Sequence, residues 1–416
     1  MARLEFIQYD FEPLHVVDYR RASGKREGTP KLPQIFWDDG SGWSEANVWA
    51  LERQGSQLDS ETIKRTMKHL CSYANFLESR SLSWQHFPVK AQDRAPKKFR
   101  KHLIDEMEQG SLANSTASNC INAVVQFYRF AKIHNLVGAK GPLWDDHMAV
   151  IRYHDSAGFE RALVRLSSDL AISNRARIGT VLEDGLLPLS AQHMSTLLIY
   201  TSQYSTAELH LMLSTGFFTG ARVGTVTTLT VSSLETARED PQTPGIYLLP
   251  VGPGTKVATK FSVTGNLLVP AALLADLKSY ATSTSRLLRE AKASRTEKDR
   301  LFLGRSGKPY SVGTVNRLVH EMRNKALIAG LKFMQKFKFH QSRATFGTWL
   351  LQLLLNHVSP TIALGFVKDA MLHKDERVTM RYITFNENTR AKGEFAIAFN
   401  EAFTGLRDRD WNQTHA

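Results

Sequence analysis

The sequence predicts a mainly α-helical protein with a small β-hairpin, divided between a helical N-terminal half and a mixed α+β C-terminal half. The length of 416 residues is enough for two or three domains with sizeable cores. Apolar residues recur at helical spacing in 61–80 and 114–138. Two short β-type runs, at 245–254 and 261–270, are bounded by turn-forming residues, which indicates a hairpin or small sheet.

Five segments follow from the order of these patterns. Residues 1–55 are aromatic and rich in turn formers, so we expect an irregular N-terminal arm. Residues 56–155 predict a helical domain, and 156–188 predict a linker because Gly and Pro interrupt any long apolar period there. Residues 189–405 predict the second domain, and 406–416 a C-terminal tail.

The charge balance indicates a polyanionic partner. Lys and Arg number 53 against 40 Asp and Glu, a formal net charge of +13, which favours nucleic acid first and an anionic membrane second. Basic side chains on the helical domain would clamp DNA through its phosphates, although a plain bundle with a solvated basic face explains the same pattern. Neither a run of about 18 apolar residues nor a signal-peptide pattern occurs, so we expect no membrane span and no signal peptide.

The two cysteines, Cys71 and Cys120, lie among apolar neighbours in helical patterns. Such positions predict buried free thiols. Two isolated cysteines exclude a disulfide framework and a cysteine zinc site, and they fit a reducing cytoplasm.

Three stretches of the second domain carry the residue types that phosphoryl transfer needs. Arg222 stands at a predicted helix start, while His340 and Arg343 share one face if their segment is helical. Arginine suits a phosphate because it is always charged and binds in bidentate fashion. Taken singly, Arg222 is better explained as an ordinary surface arginine, and the His–Arg spacing is common on helices.

The third stretch places Tyr382 nine residues after His373. Tyrosine is a poor nucleophile at neutral pH because its pKa is about 10, and neighbouring cations would lower that pKa and orient its oxygen. His373 would hydrogen-bond the phosphate or the tyrosine from across the site. A buried core tyrosine and a satisfied histidine are the alternative interpretation.

As an ordered set, these residues resemble the tyrosine recombinase, or phage integrase, family. The family's T-G-x-R-x-x-E-L box is similar to TGARVGTV at 219–226, its H-x-x-R box to HQSR at 340–343, and its L-G-H box with a later tyrosine to MLHKDERVTMRY at 371–382. The resemblance covers 58–395. It implies a helical core-binding domain followed by a mixed α+β catalytic domain.

Three departures from the family pattern indicate a divergent member. Thr225 replaces the acidic residue of the first box, and Leu372 replaces the glycine before His373. The stretch between the second and third boxes is longer, with NHVSP as the apparent insertion. Every charged catalytic type is retained, so we expect activity.

The family also uses a β-hairpin lysine as the general acid for the leaving 5′-hydroxyl. Lys256 and Lys260 are the candidates in this sequence. Spacing back from Val269-Pro270, the predicted hairpin exit, favours Lys260. The turn-rich GPGT before Lys256 keeps that residue as the alternative.

The resemblance implies a complete reaction. Tyr382 would attack the scissile phosphate to form a 3′-phosphotyrosine while the hairpin lysine protonates the 5′-oxygen. Arg222 and Arg343 would hold the developing charge. His340 would act as acid and base, and His373 would donate a hydrogen bond. The ester conserves the bond energy, so no cofactor, ATP or metal is expected.

The implied partner is double-stranded DNA, bound by a homotetramer on paired sites, with or without accessory proteins, in the nucleoid-associated cytoplasm. A mobile element is the favoured biological setting, and a type IB topoisomerase fits the layout and spacing less well. The tail 389–416 is expected to dock on a neighbouring protomer or on its own chain, through Phe395, Ile397, Phe399 and Phe403. The alternative function is a catalytically silent DNA-binding regulator on the same scaffold.

Overall fold

A computed structural model describes residues 1–8, 31–56, 58–138, 143–154, 160–173, 182, 186–374, 378–386 and 389. The chain divides into two compact units, one of Met1–Tyr153 with Glu160–Ala176, the other of His154–Phe159 with Arg177–Ala416. Helices dominate and the sheets are small, so the predicted fold class is confirmed. In the part of the chain that is described, no helix has both the length and the apolar character to cross a membrane.

The first unit combines helices with two sheets of two strands each. The two strands of the first sheet are antiparallel. Its elements are β1 (Arg3–Ile7), β2 (Leu32–Phe36), α1 (Ser44–Gly55), α2 (Ser60–Ser79), α3 (Ala95–Glu108), α4 (Asn114–Ile133), β3 (Asp146–His154) and β4 (Glu160–Ser168). The long helices α2 and α4 form where the sequence predicts them, because their apolar residues recur on one face.

The core of the first unit is aromatic. Trp43 is 1% exposed, and its ring centroid lies 4.9 Å from that of Phe127 on α4. The hydroxyls of Tyr73 and Tyr128, both fully buried, are hydrogen-bonded at 2.7 Å. This pairing satisfies two polar groups that would otherwise destabilise the interior.

Both cysteines are buried free thiols, as the sequence predicts. Burial, with a smaller contribution from Glu106, raises the pKa of Cys120 to about 11. Burial likewise raises the pKa of Cys71, with Glu78 adding to the effect. Both thiols are therefore protonated at neutral pH and packed as small apolar side chains.

Two stretches are more ordered than the sequence suggests. Within the expected irregular arm 1–55, β1 pairs with β2 and α1 packs by Trp49 into the same core as the long helices. Within the expected linker 156–188, residues 160–168 form β4. The sequence interpretation gave more weight to turn-forming residues than to the short apolar runs between them. Those runs form strands because pairing with a neighbouring strand stabilises them, and local sequence does not reveal that pairing. The domain limits themselves stay predictions.

The second unit is a helical domain with one three-stranded antiparallel sheet in the order β5–β6–β7. Its elements are α5 (Ala191–Tyr204), α6 (Ala207–Thr219), α7 (Val223–Thr228), α8 (Val231–Glu235), β5 (Arg238–Glu239), β6 (Ile246–Val251), β7 (Gly265–Pro270), α9 (Ala271–Ala281), α10 (Thr284–Glu290), α11 (Val312–Ile328), α12 (His340–Leu355) and α13 (Pro360–Ala370). Residues 378–386 are helical as well. The β6–β7 pair is the predicted hairpin, in register from Ile246 opposite Pro270 to Val251 opposite Gly265.

The predicted docking of the tail 389–416 falls outside the described residues, apart from Thr389. The apparent insertion NHVSP lies at the turn between α12 and α13, where α12 ends at Leu355 and α13 begins at Pro360. A connection of this kind lengthens the chain without disturbing either helix.

Candidate active site

Arg222 stands between two helices of the second unit. Helix α6 ends at Gly220, which adopts the left-handed conformation with φ of 66°, and Arg222 precedes α7 in an extended conformation. A Cβ atom on Gly220 would lie 2.5 Å from Cδ1 of Phe346. Both the backbone and the packing therefore require glycine there, and the sharp turn presents the half-buried Arg222 at a helix start, as predicted.

His340 is the first residue of α12 and is half-buried. Arg343 follows one turn later on the same helix and is only 2% exposed. The segment is helical, so the predicted sharing of one face is confirmed. A buried guanidinium is retained only where its donors are satisfied, and its partners define the site.

The Arg343 side chain joins the three sequence boxes. Its Nη1 donates to the Gly220 carbonyl at 2.6 Å, two residues before Arg222, and its Nη2 donates to the Met371 carbonyl at 2.5 Å, two residues before His373. Residues separated by 123 and 28 positions in sequence are therefore held by one planar group. Lysine does not offer this forked geometry.

His373 and Tyr382 lie close together in the interior. His373 is 5% exposed, and its Nδ1 is 2.9 Å from the hydroxyl of Thr379. The rings of His373 and Tyr382 have centroids 6.0 Å apart. Tyr382 is fully buried. It belongs to an apolar cluster that includes Ala344, Phe346, Leu350, Leu351 and Met371.

Leu372, at the position where the family has glycine, has a φ of 50°. That conformation costs a branched residue on the order of 1–2 kcal/mol, which glycine would avoid. Its side chain packs against Gly265, where a Cβ atom would lie 2.5 Å from Leu372 Cδ2. The hairpin therefore accommodates the Leu372 side chain because its own residue at that position is glycine, Gly265.

The hairpin approaches the third box around His373. Val263, Gly265 and Asn266 line a cavity of about 390 Å³ together with Leu372 and His373. This contact brings the lysine-bearing hairpin to the same side of the unit as the predicted catalytic histidine, as the family resemblance implies.

The two candidate lysines have different surroundings. Lys256 Nζ donates to Asp299 Oδ2 at 2.8 Å. Lys260 is exposed, with its ammonium 5.1 Å from the ring centroid of the adjacent Phe261. Phe261 and Ser262 both have positive φ, 63° and 53°. Two consecutive strained residues beside Lys260 are the kind of backbone feature that clusters at functional sites.

Sequence reasoning missed three contributors to this site. Thr379 contacts His373, Gly347 makes room for Tyr382, and Asp299 holds Lys256. Thr379 lies within the third box, and its position three residues before Tyr382, one helical turn away, was the available signal. The other two depend on contacts between distant parts of the chain.

Replacing Gly347 by Ala is expected to destabilise the protein and to slow any reaction of Tyr382. The added Cβ would lie 2.5 Å from Met371 Sδ and 2.7 Å from Tyr382 Cε1, and overpacking of this kind costs about 1–3 kcal/mol. Denaturant unfolding measures the change. Gly365→Ala on α13 is the control, because nothing lies within 4 Å of its Cβ and alanine favours helix. Equal stability of the two variants would contradict the packing argument.

Comparison with known proteins shows which families and structures the chain is similar to. Residues 189–389 match the sequence model of the phage integrase family. A search of curated proteins finds no match. Among solved structures, the chain is similar to the Tn1549 transposon integrase in complex with circular intermediate DNA, with 13% identity, a TM-score of 0.50, and coverage of 81% of this chain and 94% of that one. It is also similar to a lambda integrase dimer bound to a COC′ core site, with 14% identity, a TM-score of 0.48, and coverage of 89% and 98%.

Proposed function

Residues 189–389 make this chain a member of the phage integrase family, and from that premise we propose that it is a site-specific DNA recombinase that cuts and rejoins DNA through Tyr382. The observation that carries the proposal is the Arg343 guanidinium, which hydrogen-bonds backbone carbonyls beside Arg222 and His373. The Arg343 guanidinium therefore holds together the three segments that carry Arg222, Arg343 and His373.

The chemistry follows from the residue types. The Tyr382 oxygen attacks phosphorus, the P–O5′ bond breaks, and a 3′-phosphotyrosine forms. Arg222 and Arg343 hold the charge that develops on the non-bridging oxygens. His340 takes up and returns the tyrosine proton, while His373 donates a hydrogen bond to the phosphate.

Lys260 supplies a proton to the departing 5′-oxygen. Three observations support this choice. Lys260 is exposed, and the two residues after it have positive φ. Asp299 binds Lys256 instead. The reverse reaction, attack of a 5′-hydroxyl on the phosphotyrosine, rejoins the strand. Because the ester conserves the bond energy, the cycle needs neither ATP nor a metal ion.

The buried position of Tyr382 sets a condition on this mechanism. Its side chain is 0% exposed, so the apolar cluster around it must open before DNA reaches the hydroxyl. The same burial favours the second candidate function, a silent DNA-binding regulator in which Tyr382 is a core residue. Covalent attachment to DNA separates the two.

The substrate and assembly follow from the family and the charge. Double-stranded DNA fits a net charge of +13, and the similar Tn1549 integrase is a transposon protein bound to a circular intermediate. We infer that this chain moves a mobile element, as a homotetramer on paired sites, in the nucleoid-associated cytoplasm. For the tail 389–416 we keep the expectation that it docks on a neighbouring protomer or on its own chain.

The test is covalent trapping in cells. Cells that express the protein are lysed in strong denaturant, the protein is recovered, and any attached DNA is sequenced. We expect discrete sites with wild type and none with Tyr382→Phe. The recovered sequence also supplies the duplex for the experiments below. An abundant, folded protein without attached DNA would support the silent regulator.

Replacing Lys260 by Ala is expected to slow cleavage of a phosphodiester by roughly 10²–10⁴-fold, the range typical of a lost general acid. The same variant should cleave a 5′-bridging phosphorothiolate at nearly the wild-type rate. Sulfur leaves as a thiolate, whose conjugate acid has a pKa of roughly 8–9, so no proton donor is needed. Single-turnover rates on both duplexes measure the effect. A comparable loss on the sulfur substrate would contradict the assignment of Lys260.

A further inference from the structure

The two hairpin lysines lie outside the paired strands. The register of β6 with β7 closes at Val251 and Gly265, so sheet hydrogen bonds do not fix the intervening segment 252–264, the lysine loop. The loop has some internal order, because Val257 is 1% exposed and its carbonyl accepts from the Gly252 amide at 2.9 Å. The position of Lys260 depends on what holds this loop from outside.

Asp299 holds the loop by a side chain. Its Oδ2 accepts from Lys256 Nζ at 2.8 Å and from the Ser232 hydroxyl at 2.6 Å, while its Oδ1 accepts from the Ser232 amide at 3.0 Å. Partial burial opposes ionisation of Asp299, but the hydrogen bonds from Lys256 and Ser232 outweigh it and lower the pKa of the carboxyl. The carboxylate is therefore charged and fixed at neutral pH.

Arg300 holds the same loop by its backbone. Its Nη1 donates to the Thr228 carbonyl at 2.6 Å and to the Lys256 carbonyl at 3.3 Å. The Ala258 amide donates to the Thr228 hydroxyl at 2.9 Å. Thr228 is the last residue of α7, the short helix that begins directly after Arg222. The loop is thus connected to the element that carries the first arginine.

The segment that carries this pair of residues is itself anchored. Arg286 is 2% exposed, and its Nη2 donates to the carbonyls of Lys298 at 2.7 Å and Arg300 at 2.9 Å. The Leu301 amide donates to the Leu229 carbonyl at 2.9 Å. A carboxylate and a guanidinium on a fixed segment make a rigid clamp. An isolated surface ion pair would contribute little by itself.

We propose that Asp299 and Arg300 are positioning residues that clamp the lysine loop to α7 and so place Lys260 for protonation of the leaving oxygen. The inference rests on the proposed function. It gives Lys256 the role of an anchor. It also assigns a functional carboxylate, Asp299, in a chain whose first box has Thr225 in place of the family's acidic residue. Asp299 acts on the proton-transfer step alone, through Lys256.

The test compares Asp299→Asn and Lys256→Met on matched phosphodiester and 5′-bridging phosphorothiolate duplexes of the recovered site. We expect each variant to cleave the phosphodiester about tenfold more slowly, as displacement of a catalytic group does. Both should cleave the sulfur substrate within about twofold of wild type, since no proton is needed there. Asp276→Asn, which removes one exposed charge on α9, is the control and should match wild type on both.

Two results would overturn the proposal. Equal slowing of Asp299→Asn on both substrates would mean that the clamp only supports the fold. A Lys256→Met rate as low as that of Lys260→Ala, with rescue by sulfur, would make Lys256 the acid. Thermal unfolding of each variant confirms that folded protein is compared. Failure of the proposed function is distinct, because wild type would then form no Tyr382-dependent adduct on either duplex.

Discussion

Replacing Tyr382 by Phe should abolish covalent attachment to DNA and leave DNA affinity within about twofold of wild type. The hydroxyl oxygen is the atom that forms the new bond to phosphorus, so no residual route remains. Binding depends on contacts to phosphates and bases that a buried tyrosine does not make. The ring, which fills the apolar cluster around Met371 and Phe346, is retained.

A duplex of the recovered site, nicked so that the released strand diffuses away, traps the adduct for gel analysis, and a mobility shift measures affinity. Tyr280→Phe is the matched control. It removes the hydroxyl of another buried tyrosine in the same unit, one that donates to Glu208 at 2.9 Å. That variant should lose some stability and keep its adduct. An adduct from Tyr382→Phe would contradict the assignment of the nucleophile.

Replacing Arg343 by Ala should damage both the fold and the reaction. The Gly220 and Met371 carbonyls would lose their charged donor inside the protein, and unsatisfied buried acceptors cost about 1–3 kcal/mol each. The free energy of unfolding should therefore fall by about 3 kcal/mol. Loss of a preorganised cation at the phosphate should slow cleavage by about 10²–10³-fold beyond the effect of unfolding.

Arg343→Lys separates the two effects. Lysine keeps the charge but does not span two carbonyls as a planar fork does, so most of the loss should remain. Denaturant unfolding and single-turnover cleavage at matched folded fractions measure each part. Arg317→Ala is the control, because that arginine makes an exposed ion pair with Glu321. Wild-type stability and cleavage in Arg343→Ala would refute the role of this residue in joining the boxes.

The sequence was sufficient for the fold class, the family and the β6–β7 hairpin, because each depends on local periodicity or on an ordered set of residue types. The arginine turn at Gly220 and the helical start at His340 were likewise predictable from short stretches. These features depend on local backbone geometry, which neighbouring residues determine.

What the sequence did not reveal depends on contacts between distant residues. Asp299 lies 43 positions from Lys256, and its role exists only once the chain folds. The positive φ of Leu372 and the glycine at 265 that accommodates it are a pair that no local rule connects. The burial of Tyr382, which the sequence left open as an alternative, is determined by the cluster built by α12 and α13.

In the proposed reaction, Tyr382 carries the DNA as a 3′-phosphotyrosine. Wild-type protein is incubated with the nicked duplex, the adduct is digested with nuclease and protease, and the peptides are analysed by mass spectrometry. We expect a Tyr382 peptide that bears a nucleotide through its 3′-phosphate, together with a free 5′-hydroxyl on the released strand. A nucleotide on another residue, a 5′-phosphate linkage, or no adduct from folded protein bound to DNA would contradict it.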